Sequence, residues 1–319
     1  MNTLEALKNN CIAGGSASFE EALYLIEEAP KEELYQAAHQ ITLKRTSMVF
    51  DTCSIINARS GRCSEDCKWC AQSAHYKTDV EVYPLVDNET CLKQALENQK
   101  RGINRYGIVT SGRGQSNEDI EKLCSMISHL RQNSSIHICA SLGLVTKSQL
   151  VRLKEAGLER LHCNLEAAPQ MFEKLCTTHT TAMKMATIKA AQELGIEVCS
   201  GGILGMGETP RQRVELFFAI KEAGIKSFPL NILNPIAGTP LEGTAPMSDD
   251  DILSAVATLR FIVPDIFIRF AGGRAKRSKE LIKRSFYVGV NSCLMGDMLT
   301  TPGTDIADEF EFIKEAGYR

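Results

Sequence analysis

The stretch Ile136-His-Ile-Cys-Ala-Ser-Leu-Gly-Leu-Val-Thr-Lys-Ser-Gln-Leu-Val-Arg-Leu-Lys-Glu-Ala-Gly-Leu-Glu-Arg-Leu-His-Cys-Asn-Leu165 decides the architecture. Residues 136–141 and 160–165 are short apolar runs of strand length, and residues 147–156 between them have amphipathic helical spacing. Gly157 sits where that helix should stop, since glycine accepts the backbone that ends helices. Strand, helix and strand in this order form one crossover unit of a parallel sheet.

The alternation continues in both directions. Strands are predicted at 48–56, 106–110, 196–200, 228–233, 266–270 and 287–291, giving eight in all. Helical stretches include 118–131, 182–194, 211–223 and 249–261, and Gly102, Gly195 and Gly224 stand at further helix ends. Eight strands with intervening helices predict an α/β fold, a parallel (β/α)8 TIM-type barrel rather than an open doubly wound sheet. Ser200-Gly-Gly-Ile-Leu-Gly-Met-Gly207 superficially suggests a dinucleotide loop. It does not match G-x-G-x-x-G, and it follows the fifth strand rather than the first. Residues 18–44 read as helix, with Leu23, Ile26, Leu34, Ala38 and Ile41 at helical spacing. The organisation expected is an N-terminal helical extension over 1–46 and a barrel domain over 47–319.

Composition narrows the function. Of 319 residues, 44% are hydrophobic and 24% charged, as in ordinary globular proteins, and the net charge is −3. No field of that size draws the chain to nucleic acid or an anionic membrane. There is no run of about 18 apolar residues to span a bilayer. Residues 1–10 lack the apolar core of a signal peptide, so a cytoplasmic location is expected. Twelve cysteines are then better read as metal-bound or free thiols than as disulfides.

Three of them stand in Gly61-Arg-Cys63-Ser-Glu-Asp-Cys67-Lys-Trp-Cys70, spaced C-x3-C-x2-C. Soft thiolates held together select zinc or an iron–sulfur cluster. Half a zinc site, or small buried hydrophobes, are the competing readings. Three ligands without a fourth leave one position open, as a reactive site requires. The loop follows the first strand, at the barrel rim where chemistry gathers.

The spacing resembles that of the radical S-adenosylmethionine (SAM) superfamily, and the chain as a whole resembles the biotin synthase family. The resemblance rests on Cys63-Ser-Glu-Asp-Cys-Lys-Trp-Cys-Ala-Gln-Ser73, Cys139-Ala-Ser-Leu-Gly143, Asn164-Leu-Glu166, Cys199-Ser-Gly-Gly-Ile-Leu-Gly-Met-Gly-Glu-Thr209, Gly238-Thr-Pro240, Arg269-Phe-Ala-Gly-Gly-Arg274 and Leu299-Thr-Thr-Pro302, in the family's order. It implies a sulfurtransferase that inserts sulfur between C6 and C9 of dethiobiotin. A 4Fe–4S cluster on Cys63, Cys67 and Cys70 would cleave SAM to a 5′-deoxyadenosyl radical, and an auxiliary iron–sulfur cluster would give the sulfur. It also implies an electron donor such as flavodoxin or ferredoxin, iron–sulfur assembly proteins and a homodimer. Alternatives are another radical SAM barrel, of the hydrogenase-maturase or methylornithine-synthase kind, or a non-catalytic iron–sulfur protein.

The resemblance also assigns the site. Relatives hold a 2Fe–2S auxiliary cluster with three cysteines and an arginine; Cys139, Cys199 and Arg269 match, but Gly107 stands where the third cysteine belongs. Cys53 lies on the first strand, where relatives commonly carry serine. With Cys139 and Cys199 it would still supply three thiolates from alternate strands, in an altered cluster that could hold four irons. Glu166 matches a carboxylate that binds the SAM ribose, Asn164 a contact to SAM and substrate, and Trp69 an aromatic near the adenine. Gly201-Gly202 would let backbone approach SAM, or simply turn the chain. His162 matches a substrate contact, yet it could instead approach the cluster or be a wall residue. Asn231 matches a contact to the ureido ring, Arg59 a basic residue that could meet a carboxylate, and Thr300 and Thr301 hydroxyls near the dethiobiotin carboxylate. Arg269, buried in a barrel, needs a negative partner, which the cluster would supply, with Arg105 close by. Cys11, Cys91, Cys124 and Cys176 read as plain thiols. Cys163 should point away from the barrel, and Cys293 is left open.

Overall fold

The structure is a computed structural model describing residues 3–296, 299 and 306–319. Its strands are β1 (Asp51–Arg59), β2 (Arg105–Thr110), β3 (His137–Ser141), β4 (Arg160–His162), β5 (Glu197–Cys199), β6 (Gly202–Leu204), β7 (Ser227–Ile232), β8 (Phe267–Phe270) and β9 (Ser292–Leu294). They run in the order β5-β4-β3-β2-β1-β9-β8-β7-β6, and pairing of β5 with β7 closes the sheet into a barrel. Every strand pair is parallel. The helices are α1 (Thr3–Ile12), α2 (Phe19–Glu27), α3 (Lys31–Arg45), α4 (Asn88–Lys100), α5 (Asn117–Asn133), α6 (Lys147–Ala156), α7 (Pro169–Leu175), α8 (Thr181–Glu193), α9 (Pro210–Glu222), α10 (Asp249–Ile262), α11 (Lys279–Val288) and α12 (Ile306–Glu315).

The expected barrel is therefore present, with the fifth strand split into β5 and β6 at Ser200 and Gly201. A side chain on Gly201 would put its Cβ 2.1 Å from the carbonyl oxygen of Pro229, so the close passage of these two strands demands glycine. Two expectations change. The last strand lies at Ser292–Leu294, not 287–291, because Phe286 and Val288 continue the buried face begun by Leu281 and Ile282 and belong to α11. The long N-terminal helix is two helices, broken at Pro30, which has no N–H and disfavours helical backbone before it.

Outward strand residues such as Ile56, Ile108, Ile138 and Leu161 join the core shared with the helices. The N-terminal helices pack on α10, where Tyr35 Oη donates to the carbonyl of Asp250 at 3.1 Å. No helix among the described residues is long and apolar enough to cross a membrane. Alternation along each strand leaves the inward positions for a cavity.

Candidate functional site

Asp51 opens β1 at the floor of the barrel and gathers three arginines from three other strands. Arg269 Nη2 donates to its carboxylate at 2.6 Å, Arg105 Nε lies 3.2 Å away and Arg160 Nη1 3.5 Å away. Arg160 also pairs with Glu197 at 2.7 Å. Burial alone would raise the Asp51 carboxyl, but the charges of Arg269, Arg105 and Arg160 outweigh it and hold the group below the usual carboxylate range. Arg269 thus has a carboxylate partner, where a cluster alone was expected to balance it; Arg105 is close, as expected.

This floor makes a stability prediction. Breaking a buried ion network by removing one partner costs about 3 kcal/mol or more. Asp51→Asn should lower the unfolding free energy of cluster-free protein by about 3 kcal/mol at pH 7, read by urea denaturation. A depressed carboxylate stabilises above its unfolded value near 3.9 and loses that contribution as pH falls through its folded value. The gap between the two proteins should therefore close in acid. Equal stability at pH 7 would refute the network's role.

Above the floor, Cys53, Cys139 and Cys199 line a cavity of about 280 Å³. Register sets their heights: Cys139 pairs with Arg160, Cys199 with His162, and Cys53 with Leu294. The charges of Cys53 and Cys199 each raise the pKa of Cys139, so the three sulfurs share one neighbourhood. Burial pushes the Cys53 thiol up and the Cys139 thiol to about 12. Burial would raise Cys199 as well, but a hydrogen bond from His162 and the charges of Arg269, His162 and Arg160 bring it down to about 6. Soft sulfur donors beside buried guanidinium groups suit an iron–sulfur cluster, whose sulfides and thiolates carry negative charge. Gly107 also lines the cavity; a Cβ there would lie 3.1 Å from Ile55 Cγ2 and 4.0 Å from Cys139 Cβ. Ile55 occupies that side of the wall.

At the rim, the loop carrying Cys63, Cys67 and Cys70 is tied by its own backbone. Cys63 N donates to Gln72 O at 2.9 Å, Ala74 N to Cys63 O at 2.8 Å, and Cys70 N to Cys67 O at 3.0 Å. The three thiols are partly exposed. The Cys70 thiol is pushed up to about 11, chiefly by burial, with charge from Cys63 and Glu166 adding to it. Glu166 therefore stands near the triad. Its φ of +72° is unusual for a residue with a side chain. The conformation is held by two bonds, Glu166 N to Gly201 O at 3.0 Å and Ile203 N to Glu166 O at 2.8 Å.

The other predicted residues join this lattice. Asn164 Nδ2 donates to Glu166 Oε2 at 3.2 Å, and Asn164 Oδ1 accepts from Gly201 N at 2.9 Å. A Cβ on Gly202 would approach Glu166 O to 2.6 Å, so the glycine pair keeps β6 against the end of β4. Asn231 accepts from Gly272 N at 2.9 Å and donates to Gly202 O at 3.2 Å, leaving one amide hydrogen for a ligand. Trp69 lines the cavity and packs edge-on against Phe172, with ring centres 6.2 Å apart.

Arg59 does not join them. Its Nη1 binds Asp119 at 2.9 Å and its Nη2 binds Gln115 at 2.6 Å, away from the cavity. The register of β1 shifts between Asn57 and Arg59, which breaks the alternation that would have turned it inward. Thr300 and Thr301 lie outside the described residues. Cys163 and Cys293 join the outer core, away from the barrel interior.

Sequence reading missed Asp51, Arg160, Cys176 and His179. Strand parity carried the first two, since Asp51 is two residues from Cys53 and Arg160 two from His162. Cys176, read as a plain thiol, lies 3.7 Å from Cys67 sulfur to sulfur. The spacing of Cys176 and His179 in Cys-Thr-Thr-His was its only signal.

Comparisons with known proteins give family matches and full-length relatives. The Radical SAM superfamily model matches residues 58–220, and that of the Biotin and Thiamin Synthesis associated domain matches 229–319. A protein of Parabacteroides distasonis named biotin synthase is 46% identical over 316 residues, covering 99% of this chain and 97% of its own. Another of that name, from Akkermansia muciniphila, is 46% identical and covers 100% and 98%. The crystal structure of methylornithine synthase superposes with a TM-score of 0.85 over 98% of this chain and 96% of that one. At 18% identity this likeness concerns the fold.

Proposed function

Because the chain belongs to the biotin synthase family of the radical SAM superfamily, we propose that the barrel cavity, which Trp69 of the cysteine loop also lines, serves two sulfur-rich sites, a rim site that makes radicals and a floor site that gives sulfur to dethiobiotin. The activity is sulfur insertion at C6 and C9, and its cofactors are a 4Fe–4S cluster, SAM and an auxiliary iron–sulfur cluster. When bound, these groups supply the electron that cleaves SAM to a 5′-deoxyadenosyl radical, able to take hydrogen from unactivated carbon, and the sulfur atom itself.

The chain's residues do the rest. Cys63, Cys67 and Cys70 would hold the rim cluster. Glu166, steadied by Asn164, binds the ribose hydroxyls of SAM; Trp69 lies against the adenine, and Gly201-Gly202 admit the cofactor to backbone. Cys53, Cys139, Cys199 and Arg269 hold the auxiliary cluster, with Asp51 fixing Arg269. Asn231 and His162 bind the ureido ring, and Thr300 and Thr301 the carboxylate. Ile55, Val109, Ile203, Leu233 and Leu294 line the cavity with apolar side chains, which would keep water and spare hydrogen donors out. The electron comes from a protein such as flavodoxin or ferredoxin in a cytoplasmic setting, assembly proteins supply the clusters, and the working form is a homodimer.

The observation that carries the reading is the set of three thiols and Arg269 beneath the cysteine loop, on one cavity. Anaerobic protein given dethiobiotin, SAM and reductant should yield biotin, 5′-deoxyadenosine and methionine. Deoxyadenosine without biotin would assign the chain to another radical SAM reaction, and neither product to a binding role.

A further inference from the structure

We propose that Cys176 is a positioning residue for electron entry, donating its thiol hydrogen to Cys67 and so easing reduction of the rim cluster. The inference rests on the reading of Cys63, Cys67 and Cys70 as that cluster's ligands. Cys176 caps the end of α7 and is 3% exposed. Its sulfur lies 3.7 Å from that of Cys67. A thiolate bound to iron has no proton, so once Cys67 is a ligand only Cys176 can donate across this contact.

The surroundings leave it little else to donate to. His179 Nδ1 is 3.2 Å from the Cys176 sulfur, but it is also 2.5 Å from Glu65 Oε2. A ring nitrogen that close to a carboxylate carries the hydrogen itself and cannot accept another. Thr178 Oγ1, at 3.5 Å, already accepts from Asp66 N at 3.2 Å and donates to Glu65 Oε2 at 2.8 Å, which leaves it one lone pair to compete for the thiol hydrogen.

The turn is also clamped to the cluster loop. Thr177 N donates to Asp66 Oδ1 at 2.8 Å, and Lys68 N donates to Leu175 O at 3.0 Å. Glu65 and Asp66 both lie between Cys63 and Cys67, so the arc that presents iron ligands also fixes this fourth thiol. A donor aimed at a cluster thiolate stabilises the more negative, reduced state, and hydrogen bonds to cluster sulfurs are among the factors that set such potentials.

The test compares anaerobically reconstituted full-length wild type, Cys176→Ala and Cys176→Ser. All three should hold equal iron and sulfide. The reduced rim cluster is followed by electron paramagnetic resonance during a redox titration, identified by the change SAM makes to its signal. In Cys176→Ala the reduced-to-oxidised ratio at a fixed potential should fall about threefold, or about 28 mV at 59 mV per tenfold for one electron. Serine, which keeps an O–H donor, should recover most of that shift. An unchanged potential in Cys176→Ala with its cluster intact overturns the proposal. So does zinc retained by the loaded wild type and lost from Cys176→Ala, since Cys67, Cys176 and His179 would then be holding an ion of their own. Absence of the rim cluster from wild type would instead defeat the reading on which the proposal rests.

Discussion

Alanine at Cys70 will abolish both 5′-deoxyadenosine and biotin formation, by about 10³-fold or more, while iron at the floor site remains. The magnitude follows from ligand count. Outer-sphere changes at metal sites cost about 10- to 100-fold, and loss of one of the three proposed protein ligands should exceed that. The loop offers no substitute at this position. Cys70 is half-buried and lies where the charge of Glu166 reaches it, and its backbone N–H is engaged by the carbonyl of Cys67 at 3.0 Å. Cys67 would be a less clean choice, because Cys176 lies 3.7 Å away with a second thiol. Deoxyadenosine, iron and sulfide measured on the same anaerobic preparation decide the matter. Deoxyadenosine at the wild-type rate in Cys70→Ala would remove the cysteine loop from the chemistry.

The barrel was legible because its repeating unit is local. Each strand is a short apolar run, and each helix carries its own spacing and its own stop, as at Gly157, whose φ is +112°. The floor thiols were legible for a related reason: Cys53, Cys139 and Cys199 lie on alternate strands, and alternate strands share a layer. What failed was whatever depended on one irregular residue or on packing between distant segments. The bulge near Asn57 turned Arg59 to Asp119, and no sequence period announces a bulge. The apolar residues at 286–288 fit a strand or a helix face equally well until Leu281 and Ile282 are seen buried beside them. Asp51 with its three arginines, and Cys176 with Cys67, are contacts between residues about 50 to 220 positions apart, formed only once the barrel closes.

Cys53→Ala should separate the two halves of the reaction: deoxyadenosine continues, while biotin falls by about 100-fold or more. The residues proposed to meet SAM, Glu166, Asn164, Trp69 and the cysteine triad, do not depend on Cys53, which sits on β1 at the height of Leu294 near the floor. Radical formation should therefore survive its loss. Sulfur transfer should not, because Gly107 offers no thiol and, in the proposed ligand set, Cys139 and Cys199 alone would leave the auxiliary cluster with two. Mössbauer spectra of anaerobically reconstituted protein test the same point without turnover. Wild type should show an auxiliary signal distinct from an ordinary 2Fe–2S cluster, and Cys53→Ala should lose it while keeping the rim cluster. Adding Gly107→Cys to that variant should not simply restore the site. The new Cβ would stand 3.1 Å from Ile55 Cγ2, tighter than ordinary contact, so Ile55 must move before a thiol at 107 can face Cys139. An ordinary 2Fe–2S signal that Cys53→Ala leaves untouched, together with wild-type biotin yield, would show that Cys53 is a wall residue and that the sulfur is held without it.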